Sequence, residues 1–83
     1  MNRIERAKRL LVEGRLLDAC ASLDDARRRA TETQNVAQLE EVISLARIAT
    51  KGSAALTFRS FEDVERRARS DLQDVLLRNK REP

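Results

Sequence analysis

Apolar residues recur every three or four positions along most of the chain, which is the spacing of one face of an α-helix. The pattern predicts four helices, over residues 1–13, 16 to about 31, 36–51 and 54 to about 79. Alanine, leucine, arginine and glutamate are abundant and the single proline is the last residue, a composition that favours helix. The sequence therefore predicts an all-α protein.

The ends of the predicted helices carry recognisable capping residues. Asn2 is expected to cap the first helix, because its side chain can accept from the free backbone N–H groups of the first turn. Gly14 is expected to end that helix, since glycine adopts the positive φ of an αL terminator. The polar stretch 31–35 predicts a loop, with Asn35 or Thr33 as the cap of the third helix.

The third helix is apolar over more than one face, which indicates a helix that is buried or faces a partner. We therefore expect it to be the central helix of the fold. The side of this helix predicted to face solvent carries Glu40, Glu41, Arg47 and Lys51. Five large apolar residues along the chain are predicted to lie in the core: Leu10, Leu23, Ile43, Ile48 and Phe61.

One segment of the chain recurs. Residues 22–30 read SLDDARRRA and residues 60–68 read SFEDVERRA, 38 positions later, and Gly14 falls on Gly52 in the same register. The recurrence predicts two similar antiparallel αα-hairpins, at about 2–31 and 36–79, in one domain with a frayed tail at 80–83. Gly52 and Ser53 are expected to form the second turn. The repeat favours Ser60 as a mid-helix residue over a capping-box residue with Asp63.

The composition limits how this fold can be stabilised. A chain of 83 residues buries a small core, and Cys20 is its only cysteine, so no disulfide can form within one chain. With no histidine and one cysteine, no Cys- or His-based metal site is expected, and no cofactor. Association with a second copy or with a partner protein is the remaining way to stabilise so small a core. No apolar run could cross a membrane, no secretory signal is evident, and we expect a cytoplasmic protein.

The first hairpin resembles a known repeat family. Gly14, Ala19, Leu23 and Ala26 give the spacing G-x4-A-x3-L-x2-A, which resembles the hinge and second helix of a tetratricopeptide repeat. Ala7 and Leu10 fall where such a repeat places a small and a larger apolar residue in its first helix. The resemblance extends over residues 3–68, with matches in the second unit at Gly52, Phe61 and Val64.

The resemblance implies a concave surface that binds a peptide or another protein. The first helix of each unit would line it, with Ile4, Lys8, Leu11, Val42, Ala46 and Ala49. Val12 is a further candidate, because Leu11, Val12 and Val42 lie beside the main apolar stripes and could equally be core or partner surface. A repeat array normally needs three or more units to bury a continuous core, so a homodimer or a complex is expected.

The arginine clusters offer an alternative function, since they could contact the phosphates of a nucleic acid. The residues concerned are Arg27, Arg28, Arg29, Arg66, Arg67 and Arg69. The contrary interpretation is a solvated face on which acids one turn earlier already pair with the bases. That interpretation predicts six pairs with the acid four residues before the base: Asp24–Arg28, Asp25–Arg29, Glu62–Arg66, Asp63–Arg67, Glu65–Arg69 and Asp74–Arg78. The net charge of +3 is a mild excess for a protein that coats nucleic acid.

No residue set in the chain specifies a reaction. Adjacent carboxylates such as Asp24 and Asp25 point about 100° apart on a helix and do not converge on one site. Cys20 lies on an apolar face, where a cysteine is usually a small core residue. We therefore expect no catalytic residue, no small-molecule substrate and a non-enzymatic protein-interaction or adaptor module that associates with itself.

Overall fold

The computed structural model describes residues 2–52 and 55–81, with side chains described for residues 2–51 and 60–80. These residues form four α-helices and no strand. The helices are α1 (Arg3–Val12), α2 (Leu16–Glu32), α3 (Val36–Gly52) and α4 (Ala55–Arg81). The predicted all-α class and the number of helices are confirmed.

The helices begin and end close to the predicted positions. The Oδ1 atom of Asn2 accepts the backbone N–H of Glu5 at 2.8 Å, and the Oδ1 atom of Asn35 accepts that of Gln38 at 3.1 Å. Both side chains therefore satisfy N–H groups that a helix start leaves free. Asn35, not Thr33, is the cap of α3.

Two predicted boundaries are wrong. Gly52 is the last helical residue of α3 instead of a turn residue, and the rest of the predicted turn, Ser53, lies outside the described residues. α4 continues through Lys80 to Arg81, two residues past the predicted end, and the other two residues of the predicted frayed tail, 82 and 83, lie outside the described residues.

The first two loops end their preceding helices in the same way. The second residue after the helix has positive φ in both, 78° at Gly14 and 54° at Gln34. The next backbone N–H then reaches back to the helix: that of Arg15 bonds the carbonyl of Leu10 at 2.9 Å, and that of Asn35 bonds the carbonyl of Ala30 at 2.8 Å. These are Schellman-type ends, and at Gln34 a side-chain-bearing residue adopts a conformation that suits glycine.

The helices form a thin plate. Its Cα atoms extend over 45 × 27 × 14 Å. α3 packs most extensively against α4, α2 touches the other three helices, and α1 and α4 make no contact with each other within the described ranges. A body this thin leaves most helices with one face open to solvent.

The main core lies between the facing sides of all four helices. Its largest fully buried side chains are Phe61, Leu23 and Val42, and a smaller cluster of Ala30, Leu39 and Val75 closes the end nearer the C-terminus. The predictions for Leu10, Leu23 and Phe61 are confirmed, and Ile43 packs half-buried against the core.

The prediction for Ile48 is wrong, because 66% of this residue is exposed. α3 is covered by its neighbours on one side only, and Ile48 lies on the other side. The charged residues predicted for the solvent-exposed side of α3 are all exposed. α3 is therefore central in its contacts without being enclosed.

The internal repeat itself stays a prediction. Several positions separated by the repeat period are buried in both hairpins: Ile4 and Val42, Leu23 and Phe61, Ala26 and Val64, Ala30 and Ala68. Ser22 and Ser60 both lie inside helices, and Ser22 donates to the carbonyl of Arg3 at 2.9 Å.

None of the helices in the described ranges combines the length and the apolar character needed to cross a bilayer.

Candidate protein interface

The structure corrects much of the predicted partner surface. Ile4, Val42, Ala46 and Ala49 are buried in the core, so these four residues do not form a surface open to a partner. The reason is geometric: the apolar stripes of α1 and α3 face α2 and α4 and are covered by them.

The other three residues of that predicted surface do not form one patch. Leu11 is half-buried against the core. Lys8 is exposed and its Nζ lies 3.2 Å from the Oε1 of Glu41, an ion pair that links α1 to α3. Val12 is 88% exposed at the last position of α1, and Leu17 is also exposed just after the loop.

The side of α3 that points away from the core forms a more coherent surface. We call it the outer face of α3, and it consists of Ala37, Glu40, Glu41, Ser44, Arg47, Ile48 and Lys51, all exposed. Its acids lie in the N-terminal half of the helix and its bases in the C-terminal half. Small residues at 37 and 44 leave the backbone accessible, and Ile48 is the large apolar residue among them.

A groove of about 540 Å³ runs beside this face, between α3 and α4. It is lined by Glu40, Ile43, Ser44, Arg47, Ile48, Arg69 and Leu72. At one rim Glu65 accepts from Arg69 Nε at 2.9 Å and lies 3.9 Å from Arg47 Nε. Further along α4, Leu76 and Leu77 are about half exposed.

The sequence contained a signal for this surface that the apolar pattern obscured. Glu40, Ser44 and Ile48 recur every four residues, the spacing of one helix face. Size and apolar character alone predict Ile48 in the core. Its polar neighbours at that spacing indicate the opposite face.

The predicted anionic-partner face is wrong for Arg27. Only 14% of this side chain is exposed, and its guanidinium binds Asp24 at 2.8 Å and Asp71 at 2.6 Å. Arg27 lies where α2 packs on α4 and holds the two helices together. A phosphate would have to displace two carboxylates to reach it.

Most of the remaining arginines are exposed and paired. The predicted pairs Asp24–Arg28 and Glu65–Arg69 are confirmed at 3.1 and 2.9 Å. Two others pair with an acid three residues away instead of the predicted one at four: Arg29 with Glu32 at 4.0 Å and Arg66 with Asp63 at 2.6 Å. Arg67 is exposed.

The ion pairs of α2 shift the titration of neighbouring groups. Burial raises the pKa of Asp24. The hydrogen bond from Arg27 and the charges of Arg27, Arg28 and Arg67 lower this pKa by more than burial raises it, so the pKa of Asp24 lies below its usual value. Burial and the nearby charges of Asp24 and Asp63 raise the pKa of the Cys20 thiol.

A second concavity, of about 350 Å³, lies where the starts of α1 and α3 meet the end of α2. Its lining includes Asn2, Arg3, Arg29 and Asn35. Both asparagines in it are used as helix caps. Among the described residues, no group of three or more Cys, Asp or Glu side chains is placed to hold a metal ion.

The comparisons with known proteins add no relationship to this geometry. The resemblance to tetratricopeptide repeats therefore stays a prediction from residue spacing. No protein family, no curated protein and no solved structure matches the chain.

Proposed function

We propose that this chain is a non-catalytic protein-interaction module that binds through the outer face of α3 and the groove beside it. One observation carries the proposal: Ile48 is 66% exposed at the edge of a groove of about 540 Å³. Ile48 adjoins Ile43 and Leu72 in the lining of that groove, together with charged residues of both signs, and an apolar patch with a polar rim is typical of a protein-binding surface.

The nucleic-acid alternative has less support. Arg27 is tied into the α2–α4 contact, and Arg28, Arg29, Arg66 and Arg69 each lie within 4.0 Å of a carboxylate. Binding phosphates through these side chains would require breaking pairs that already neutralise them. Such binding would weaken steeply with salt, so a duplex titration at two ionic strengths separates the alternatives.

The two predicted hairpins suit such a role. Because the plate is thin, its small core is contributed by all four helices while an outer face remains free for a partner. The same proposal includes a role as an adaptor, a cytoplasmic location and hairpins that resemble tetratricopeptide repeats. The absence of histidine from the chain and its single cysteine support a role that involves no chemistry.

The test is an Ile48→Asp variant with Val12→Asp as the matched control, since both positions are exposed but only Ile48 lines the groove. The helicity and thermal unfolding of each variant are measured first. Each variant is then cross-linked in native lysate, and the proteins bound to it, including other copies of the same chain, are identified. We expect Ile48→Asp to lose associations that wild type and Val12→Asp keep. Identical associations for all three would overturn the proposal.

A further inference from the structure

We propose that the occupant of this surface is a second copy of the same chain. The two outer faces of α3 pack antiparallel about a two-fold axis that passes beside Ser44. The inference rests on the proposed function, because it requires the outer face of α3 to be an interface, and it adds the partner and the geometry.

The order of charges along α3 is the first argument. Glu40 lies four residues before Ser44 and Arg47 three residues after it, which is about 6 Å and about 4.5 Å along a helix that rises 1.5 Å per residue. In an antiparallel pair centred on Ser44, Glu40 of one copy therefore lies level, to within about 1.5 Å, with Arg47 of the second copy.

The two charged side chains also lie on the same flank. Glu40 and Arg47 both line the groove towards α4, and a two-fold axis perpendicular to both helices brings like flanks together. Each dimer then contains two Glu40–Arg47 contacts between copies, in which Arg47 adds Glu40 of the second copy to the Glu65 carboxylate that lies 3.9 Å away in its own chain. A parallel pair would place Glu40 level with Glu40 and Arg47 level with Arg47, so only the antiparallel arrangement brings opposite charges to the same height on the same flank.

Ser44 and Ile48 also have defined neighbours in this alignment. Ser44 meets its own copy at the centre, where a small side chain permits close approach of the helices. Ile48, which lines the same groove, falls level with Glu40 of the other copy, about 1.5 Å along the helix axis from Glu41 and about 4.5 Å from Ala37.

The dimensions predict a weak, reversible dimer. α3 has 17 residues, so a single helix-to-helix contact runs for about 25 Å. The surface area that such a contact buries is smaller than the roughly 1,200 Å² typical of stable interfaces. We therefore expect dissociation in the micromolar range or above and a mass that rises with concentration.

The test is a charge exchange measured by sedimentation velocity over a wide range of concentration, at low salt and with reducing agent. Glu40→Lys alone and Arg47→Glu alone each turn two attractive contacts into repulsive ones. We expect each to weaken association by at least about tenfold. An equimolar mixture of the two is expected to associate far better than either variant alone and to approach wild type, because both contacts in the mixed dimer join opposite charges. Glu62→Lys, an exposed position outside the groove, makes the same charge change and is expected to leave association unchanged.

The outcomes separate this inference from the proposed function. A wild-type chain that stays monomeric throughout, or a mixture that associates no better than the single variants, overturns the antiparallel dimer. If Ile48→Asp still loses a bound protein in that case, the interaction surface stands and only its occupant is wrong. If it loses none, both proposals fail.

Discussion

The guanidinium of Arg27 on α2 donates to the Oδ2 of Asp71 on α4 at 2.6 Å, although the two residues are 44 positions apart in sequence. The same guanidinium binds Asp24 through Nε at 2.8 Å. The hydroxyl of Thr31 lies 3.1 Å from Asp71 Oδ2 and 2.9 Å from the carbonyl of Arg27, so it can donate to either. This polar cluster fixes how α2 and α4 are aligned, which apolar contacts alone specify less strictly.

Replacing Arg27 by methionine is expected to lower the free energy of unfolding by about 2 kcal/mol. Breaking a fully buried pair costs about 3–5 kcal/mol because a charge is left without a partner. Here Asp24 and Asp71 remain 16% and 23% exposed and keep some hydration. Urea unfolding followed by circular dichroism measures the change, since the chain has no tryptophan or tyrosine to report it.

Arg28→Met is the matched control for that experiment. Arg28 binds the same Asp24 at 3.1 Å, but 64% of its side chain is exposed, and exposed pairs contribute at most about 1 kcal/mol. A loss at Arg28 as large as that at Arg27 would mean that the link to Asp71 adds nothing to stability.

Acid should weaken the fold in part through Asp24. Its pKa is held below the usual value despite burial, through its bond to Arg27 and the charges of Arg27, Arg28 and Arg67. A carboxyl with a lowered pKa stabilises the fold above its unfolded-state pKa, and that contribution is lost as pH falls through the folded-state pKa. We expect the loss from about pH 4 downwards, because an unperturbed aspartate titrates near 3.8.

The measurement is the urea midpoint of wild type and Asp24→Asn at pH 7, 5, 4 and 3. Other carboxylates also titrate over this range, so the difference between the two proteins isolates Asp24. The variant should be less stable at neutral pH and lose less on acidification, so that the two curves converge. Parallel curves would show that Asp24 contributes nothing to acid sensitivity.

Helix positions and most of the core could be predicted from the sequence because both are local properties of helical spacing. Leu23 and Phe61 each lie on an unambiguous apolar stripe, and both are fully buried. Asn2 and Gly14 are equally local signals, since a cap depends only on neighbouring backbone groups.

The exposed face of α3 could not be predicted in the same way, because it depends on which neighbours cover each helix. Val42 and Ile48 are both apolar residues of α3, yet one is fully buried and the other is 66% exposed. Periodicity shows that α3 is apolar on several sides without showing which side α4 occupies. The link from Arg27 to Asp71 has no local signal either, since its partners lie on helices far apart in sequence.

The two Schellman-type loops provide a pair of substitutions with opposite expected effects. Gly14→Ala should destabilise the chain by about 1 kcal/mol: φ is 78°, and a new Cβ would meet no atom within 4 Å, so the whole effect is backbone strain. Gln34→Gly should stabilise it by about 0.5–1 kcal/mol, because it relieves strain at a φ of 54°. Both are measured as shifts in the urea midpoint.

The control for this pair is Gln34→Ala, which removes the glutamine side chain and keeps the Cβ. It should match wild type within about 0.5 kcal/mol. A gain at Gln34→Ala equal to that at Gln34→Gly would assign the effect to the lost side chain, and the conformational explanation would be wrong.

Cys20 should react slowly in the folded chain. Its thiol is half-buried against the core, and burial together with the charges of Asp24 and Asp63 raises its pKa, so little thiolate exists at neutral pH. We expect alkylation by iodoacetamide at pH 7.5 to be at least about tenfold slower than in urea. A Cys20→Ala/Ser70→Cys variant, with its thiol at an exposed position of α4, should react almost as fast folded as unfolded. Equal rates for Cys20 in both states would mean that the helix packing around it opens readily, and a disulfide between copies would then compete with any dimer formed through α3.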